Sequence, residues 1–134
     1  MNFNIKHILC LVLFFNSNYF FGQINDPPTV TAVGDQVYCP QSQQRIVTSF
    51  NIVDLDENFI PAFYIQISSG YVVGQDQLSL IGSHPTIAAN WNANQAKLTL
   101  TGVSGSSPTY TEIIAAVYDV VFSSTNINVG TKTF

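Results

Sequence analysis

The sequence predicts an all-β protein, a β-sandwich that carries one short helix. From residue 26 onwards, turn-forming residues recur about every 8–12 positions, which is typical of a sandwich built from short strands. The runs between these turns are rich in Val, Ile, Thr, Tyr and Phe, and such residues favour strands. With 134 residues, the chain has room for one domain.

Several of the runs alternate between apolar and polar residues, as a strand with one buried face does. Asn92 to Gln95, between two such runs, indicates a hairpin turn. The predicted faces are Thr48, Phe50 and Ile52 in the first run, Phe63, Ile65 and Ile67 in the second, and Leu98 and Leu100 in the third.

One segment departs from the β pattern. Residues 111–117 are good helix formers, and Ser107 or Thr109 can cap the start of a helix there. The helix should lead into a strand over residues 118–123. Its predicted apolar face consists of Tyr110, Ile113, Ile114 and Val117.

The first residues have the layout of a secretory signal. Lys6 and His7 precede an apolar run over residues 8–15, and Gly22 supplies a small residue near the end. This apolar run is too short to cross a bilayer as a helix. We therefore expect a signal peptide over residues 1–22, a lead-in with the first strand or strands over 23–45, and the sandwich over 46–134.

The last residues, 132–134, resemble the opening of a further strand. We expect this last strand to be truncated and the chain to be the front part of a longer protein.

Charge and cysteine content exclude several classes of protein. The chain has four Lys and Arg against eight Asp and Glu, and its net charge of −4 becomes more negative once Lys6 leaves with the signal. Nucleic-acid binding needs basic patches, so it is not expected. Cys39 is the single cysteine after the signal, which excludes an internal disulfide and leaves a thiol for an external partner.

The residues that could support catalysis do not form a convincing set. One histidine, His84, and one cysteine, Cys39, cannot assemble a zinc cluster, and both lie next to prolines in turn-rich contexts. Asp54 with Asp76 or Asp119 offers the paired carboxylates of a glycosidase, but the spacing selects neither pair. We predict that the chain is not an enzyme.

The acidic run that follows residue 53 is the best candidate for a metal site. Asp54 and Asp56 are two positions apart, so at a strand end their carboxylates leave on the same side, with the Cα atoms about 6.5–7 Å apart. Glu57 can join them if the loop curls. Calcium takes six to eight oxygen ligands at ~2.3–2.6 Å. The candidate ligands are Asp54, Asp56 and Glu57, and the alternative is a solvated acidic turn.

Four aromatic residues could form a platform on which a sugar ring stacks. They are Tyr64, Tyr71, Trp91 and Tyr110. The alternative for Trp91 is a place in the core or at the sandwich edge.

The order of motifs over residues 50–122 is similar to the cadherin-like repeat of large bacterial surface proteins, which is related to the proteoglycan-type repeats. It is similar in particular to the N-terminal module of gliding-motility-associated, adhesin-like proteins. The motifs, in order, are Val53-Asp54-Leu55-Asp56, Ile67-Ser68-Ser69-Gly70-Tyr71, Gly74-Gln75-Asp76-Gln77-Leu78-Ser79-Leu80, Trp91-Asn92, Lys97-Leu98-Thr99-Leu100-Thr101-Gly102, and Tyr110 through Ala115-Ala116 to Val120-Val121-Phe122.

This resemblance implies an immunoglobulin/cadherin-like sandwich that is secreted to the cell surface, often with calcium between repeats. Asp54 and Asp56 match the acidic turn of the family. The function to expect is that of a spacer and adhesion element whose partners are neighbouring domains of the same polypeptide, surface polysaccharide or another surface protein. The alternative function is a carbohydrate-binding module that uses Tyr71 and Trp91.

Overall fold

A computed structural model describes residues 25–127 and 130–134, and the predicted signal over residues 1–22 lies outside them. The described chain is mostly β, as predicted, with one α-helix and a single 3-10 turn at Val103–Gly105. The elements are β1 (Thr29–Val33), β2 (Gln43–Arg45), β3 (Ser49–Val53), β4 (Ala62–Gln66), β5 (Asp76–Leu80), β6 (Ile87–Asn92), β7 (Lys97–Gly102), α1 (Tyr110–Tyr118) and β8 (Val120–Ser124).

The strands form three antiparallel sheets. One sheet pairs β1 with β3, the second has the order β2-β8-β5, and the third has the order β4-β7-β6. The two strands from the predicted lead-in, β1 and β2, therefore pair with strands of the main body.

The alternation is confirmed in β3 and β7. Thr48, predicted on the same face as Phe50 and Ile52, is exposed and precedes β3, so the buried face begins at Phe50. In β3, Phe50 and Ile52 are buried while their neighbours are exposed, and in β7, Leu98 and Leu100 are almost completely buried. The predicted hairpin turn joins β6 to β7. Asn92 shapes this turn, because its side-chain oxygen accepts hydrogen bonds from the backbone amides of Asn94 at 3.0 Å and Gln95 at 3.2 Å.

The predicted helix is confirmed, and the sequence fixes its start through a capping box. The Thr109 hydroxyl accepts from the Glu112 amide at 3.3 Å, and the Glu112 carboxylate accepts from the Thr109 amide at 2.8 Å. Ile113 and Val117 are buried as expected, whereas Ile114 is only partly buried.

The strand predicted over residues 118–123 begins later, because Tyr118 completes the helix. The Tyr118 hydroxyl accepts from the Phe50 amide at 3.0 Å, and this contact ties the last helical turn to β3. Asp119 caps the helix, and β8 starts at the next residue.

The apolar core brings together buried side chains from all three sheets and from α1. Burial of this apolar surface is the main favourable contribution to folding. Its members include Phe50, Ile52, Ile65, Ile67, Leu78, Ile87, Leu98, Leu100, Ile113, Ala116, Val117, Val120 and Phe122.

The last residues pack back onto the body of the domain. Thr133 forms an isolated antiparallel bridge with Ser69, and the Phe134 ring meets the Phe122 ring edge-on at 5.9 Å. Gly70 permits this approach, because it has a positive φ of 76° and a Cβ there would lie 2.2 Å from the Thr131 carbonyl oxygen. The continuation of this strand stays a prediction.

Candidate functional site

The acidic turn comes directly after β3, and Asp54 gives it its shape. One Asp54 carboxylate oxygen accepts hydrogen bonds from the backbone amides of Asp56 at 3.1 Å and Glu57 at 3.3 Å. This is the local side-chain-to-backbone pairing by which Asp residues form turns. Leu55, between the two aspartates, is 90% exposed, so the turn projects into solvent.

The helix holds the acidic turn from the other side. The Tyr110 hydroxyl donates to the second Asp54 oxygen at 2.7 Å, and the Tyr110 amide donates to the Asn58 carbonyl at 2.8 Å. Tyr110 is the first residue of α1, so the capping box at Thr109 also sets the position of this hydroxyl. The hydrogen bond lowers the pKa of Asp54 to about 2 and raises the pKa of Tyr110 to about 12.

Asp56 lies against Asp54, as expected for carboxylates that leave the strand end on the same side. The contact with the Asp54 carboxylate raises the pKa of Asp56, because two acids placed together disfavour a second negative charge. One Asp56 oxygen accepts from the Asp26 amide at 3.2 Å. The other, Oδ1, is buried and has no hydrogen-bond partner in the described part of the chain.

The third predicted ligand, Glu57, is exposed. Among residues 25–127 and 130–134, no three His, Cys, Asp or Glu side chains converge as metal ligands do. The structure thus brings Asp54 and Asp56 together and leaves Asp56 Oδ1 as an oxygen that a cation could satisfy. The calcium site with Asp54, Asp56 and Glu57 stays a prediction, and most of its oxygen ligands would have to come from elsewhere.

The other acids considered for paired-carboxylate chemistry each have a different partner. Asp119 accepts from Arg45 at 2.7 Å and lies 3.1 Å from the His84 ring nitrogen. Asp76 pairs with Lys132 at 2.6 Å. Cys39 is exposed in the turn before β2.

The pair of Asp76 and Lys132 is the feature that the sequence did not reveal. Asp76 is only 3% exposed, and its Oδ2 also accepts from the Val72 amide at 2.7 Å. Lys132 donates in addition to the Gly70 carbonyl at 2.5 Å. The two charged residues are 56 positions apart, so no local pattern predicts the pair. The one available signal was that Lys132 is the single cation near the end of a cation-poor chain.

The four aromatic residues do not form one platform. Tyr64 is 58% exposed and has the Lys97 ammonium over its ring at 5.0 Å, while Tyr110 binds Asp54. Tyr71 and Trp91 do meet, edge to face, with their centroids 6.1 Å apart. The Tyr71 hydroxyl donates to the Ala93 carbonyl at 2.7 Å, which fixes Tyr71 against the β6–β7 turn.

Trp91 also lines a cleft of about 620 Å³ where β5 and β8 approach the β6–β7 turn. Most of the other lining side chains are amides and hydroxyls. Tyr71 and Trp91 are therefore in contact, and the open surface next to them is lined mostly by polar residues that the sequence did not single out.

The fold and these sites define a class only in outline: a mostly β protein with three antiparallel sheets, one helix and an acidic surface turn. No protein-family profile, curated protein or solved structure matches the chain. Within residues 25–127 and 130–134, none of the helices has the length and apolar character that crossing a membrane requires.

Proposed function

We propose that the chain is an extracellular module that acts as a spacer and adhesion element of a larger bacterial surface protein. Its fold in this proposal is an immunoglobulin/cadherin-like sandwich, exported by the signal over residues 1–22. Adhesion of this kind needs no deep pocket, because weak contacts repeated on a tethered chain raise the effective concentration.

The observation that carries the proposal is the acidic turn. Asp54 and Asp56 lie side by side at the surface, fastened to α1 through Tyr110, at the position where the resemblance puts calcium ligands. The buried, unpartnered Asp56 Oδ1 is an oxygen that a cation would satisfy. In the proposed module, calcium bound by Asp54, Asp56 and Glu57 stiffens the junction with a neighbouring domain, which supplies further oxygen ligands.

Calcium binding can be tested through thermal stability. A ligand at a hundred times its Kd adds about 2.7 kcal/mol of stability, so melting in millimolar calcium should occur at a higher temperature than melting in chelator. The double variant Asp54→Asn/Asp56→Asn should lose this difference. Asp35→Asn, which changes an exposed aspartate outside the turn, should keep it.

Equal melting temperatures with calcium and with chelator would remove calcium from the proposal. The adhesive role is tested separately, by coating beads densely with the purified chain and measuring their retention on a layer of bacterial cells. Dense beads should be retained and sparsely coated beads should not. Equal retention of coated and bare beads would refute adhesion.

A further inference from the structure

The cleft beside Trp91 has a composition that points to a particular class of ligand. It lies at the end of the β2-β8-β5 sheet, and Trp91 of the β4-β7-β6 sheet also lines it. Most of the groups in the cleft that could contact a ligand belong to four glutamines, one serine and the tryptophan. These residues are Gln41, Gln43, Gln75, Gln77, Ser123 and Trp91.

Three of these polar side chains form a row across the sheet. Gln43 in β2 is the register partner of Ser123 in β8, and Ser123 is in turn the register partner of Gln77 in β5. Residues directly opposite one another in a sheet share a face. Strands are about 4.8 Å apart, so the Cα atoms of Gln43 and Gln77 lie roughly 10 Å apart, with Ser123 between them.

The cleft presents little exposed charge to a ligand. Carboxamides and hydroxyls both donate and accept hydrogen bonds, so this row can match alternating hydroxyl groups on a ligand. No Lys, Arg or Glu is among the described residues that line the cleft. Its single acid, Asp76, is almost completely buried and already paired with Lys132. The Asp76 charge is therefore balanced within the protein by Lys132, and its Oδ1 is buried with no hydrogen-bond partner among the described residues.

Trp91 supplies the apolar component. It is partly exposed, and the Tyr71 ring holds it from the side, with Tyr71 itself anchored through its hydroxyl to Ala93. The opposite wall is fixed by Asp76, which accepts from the Val72 amide, and by Gln75, whose carbonyl accepts from the Thr125 amide at 3.0 Å. Walls that are already in place reduce the ordering cost of binding.

We propose that this cleft is a binding site for a neutral saccharide. A sugar ring packs its C–H face on Trp91, and its hydroxyls exchange hydrogen bonds with Gln43, Ser123 and Gln77. This site goes beyond the spacer role, and it is independent of the acidic turn because it shares no residue with it.

Trp91 is the single tryptophan of the chain, so intrinsic fluorescence reports directly on the site. The experiment titrates the purified chain with neutral oligosaccharides (cellohexaose, maltohexaose, xylohexaose and mannohexaose) and with acidic oligogalacturonate. At least one neutral oligosaccharide should give a saturable fluorescence change, confirmed by calorimetry, and oligogalacturonate should give none.

Single substitutions distinguish a loss of saccharide binding from a loss of folding. Gln77→Ala and Gln43→Ala, both at exposed strand positions, should each weaken binding about tenfold, the equivalent of ~1.4 kcal/mol. Trp91→Ala should abolish binding in calorimetry. Tyr64→Ala removes an exposed aromatic outside the cleft and should bind like the unchanged chain.

The proposal is overturned if no neutral oligosaccharide binds, if only oligogalacturonate binds, or if Gln77→Ala and Gln43→Ala bind as tightly as the unchanged chain. Because Trp91→Ala also removes core contacts, the two glutamine variants decide the outcome if that variant does not fold. None of these results bears on calcium binding, which is measured separately.

Discussion

Asp54 and Asp76 both have a pKa below the ordinary value, but for different reasons. At Asp54 the main cause is the hydrogen bond from Tyr110, made at the surface of the acidic turn. At Asp76, burial raises the pKa, and the hydrogen bonds from Lys132, Ser124 and the Val72 amide, together with the Lys132 charge, more than offset it. The comparison shows that a lowered pKa can reflect either a hydrogen bond to a half-buried carboxylate or several partners, with Lys132 first among them, that together stabilise a buried charge.

This difference in burial between Asp54 and Asp76 determines how much each contact contributes to the stability of the fold. An exposed carboxylate that loses a partner is solvated by water, so little stability is lost. A buried carboxylate that loses its cation is left without compensation, which is costly. We therefore expect the domain to depend far more on Lys132 than on Tyr110, although both bind an aspartate.

The largest effect should come from Lys132→Met. This change keeps most of the side-chain volume but leaves the Asp76 charge buried, and removal of one partner from a buried pair costs about 3–5 kcal/mol. Urea denaturation at neutral pH measures the loss. Lys97→Met is the matched control, because Lys97 forms no ion pair within the described residues and contacts the Tyr64 ring instead.

A double variant tests the cause of that loss. In Asp76→Asn/Lys132→Met no charge is buried, so the protein should be more stable than Lys132→Met alone. If the double variant is less stable than the single one, the contribution of Lys132 comes from packing, for example on the Phe122 ring, and the contrast with Asp54 disappears.

A smaller effect is expected at the start of the helix that carries Tyr110. Thr109→Ala removes the hydroxyl that caps α1 and should cost about 1 kcal/mol. Thr109→Ser keeps a capping hydroxyl and should restore most of the stability. Equal losses in both variants would mean that the methyl group, and not the cap, is responsible.

The smallest effect should come from Tyr110→Phe, and it should disappear at extreme pH. The Asp54 contribution is present above its ordinary pKa of 3.8 and is lost as the pH falls through about 2. The Tyr110 contribution is present below its ordinary pKa of 10.0 and is lost as the pH rises through about 12. The stability difference between the unchanged chain and Tyr110→Phe should be constant from about pH 4 to 10 and shrink on both sides.

Unfolding measured at several pH values tests this profile. NMR titration of Asp54 should also show its pKa returning toward 3.8 in Tyr110→Phe. A stability difference that does not change below pH 4 would assign the contribution of Tyr110 to its ring and not to its hydroxyl.

The local features of the fold were predictable from the sequence. The period of two identified Phe50 and Ile52 as an inward face, and the helical spacing identified Ile113 and Val117, because both patterns depend only on near neighbours. The strand predicted from residue 118 began too early, because the Tyr118 hydroxyl binds the distant Phe50 backbone and helix propensity continues through that position.

The sites were predictable only in part. Asp54 and Asp56 are two positions apart in sequence, so their proximity followed from strand geometry. The partners Tyr110 and Lys132 each lie 56 positions from the acid they bind, and only the tertiary fold brings them there. The row of Gln43, Ser123 and Gln77 was equally hidden, because it exists only once three strands from distant parts of the chain are in register.

The attachment of residues 131–134 also determines how the module would respond to tension. Lys132 reaches the Gly70 carbonyl and Asp76, and Thr133 exchanges backbone hydrogen bonds with Ser68 and Ser69. A pulling force applied at Phe134 would thus act first on a buried charge pair and a few hydrogen bonds rather than on a long ladder. Acid strong enough to protonate Asp76 would let this end detach at lower force.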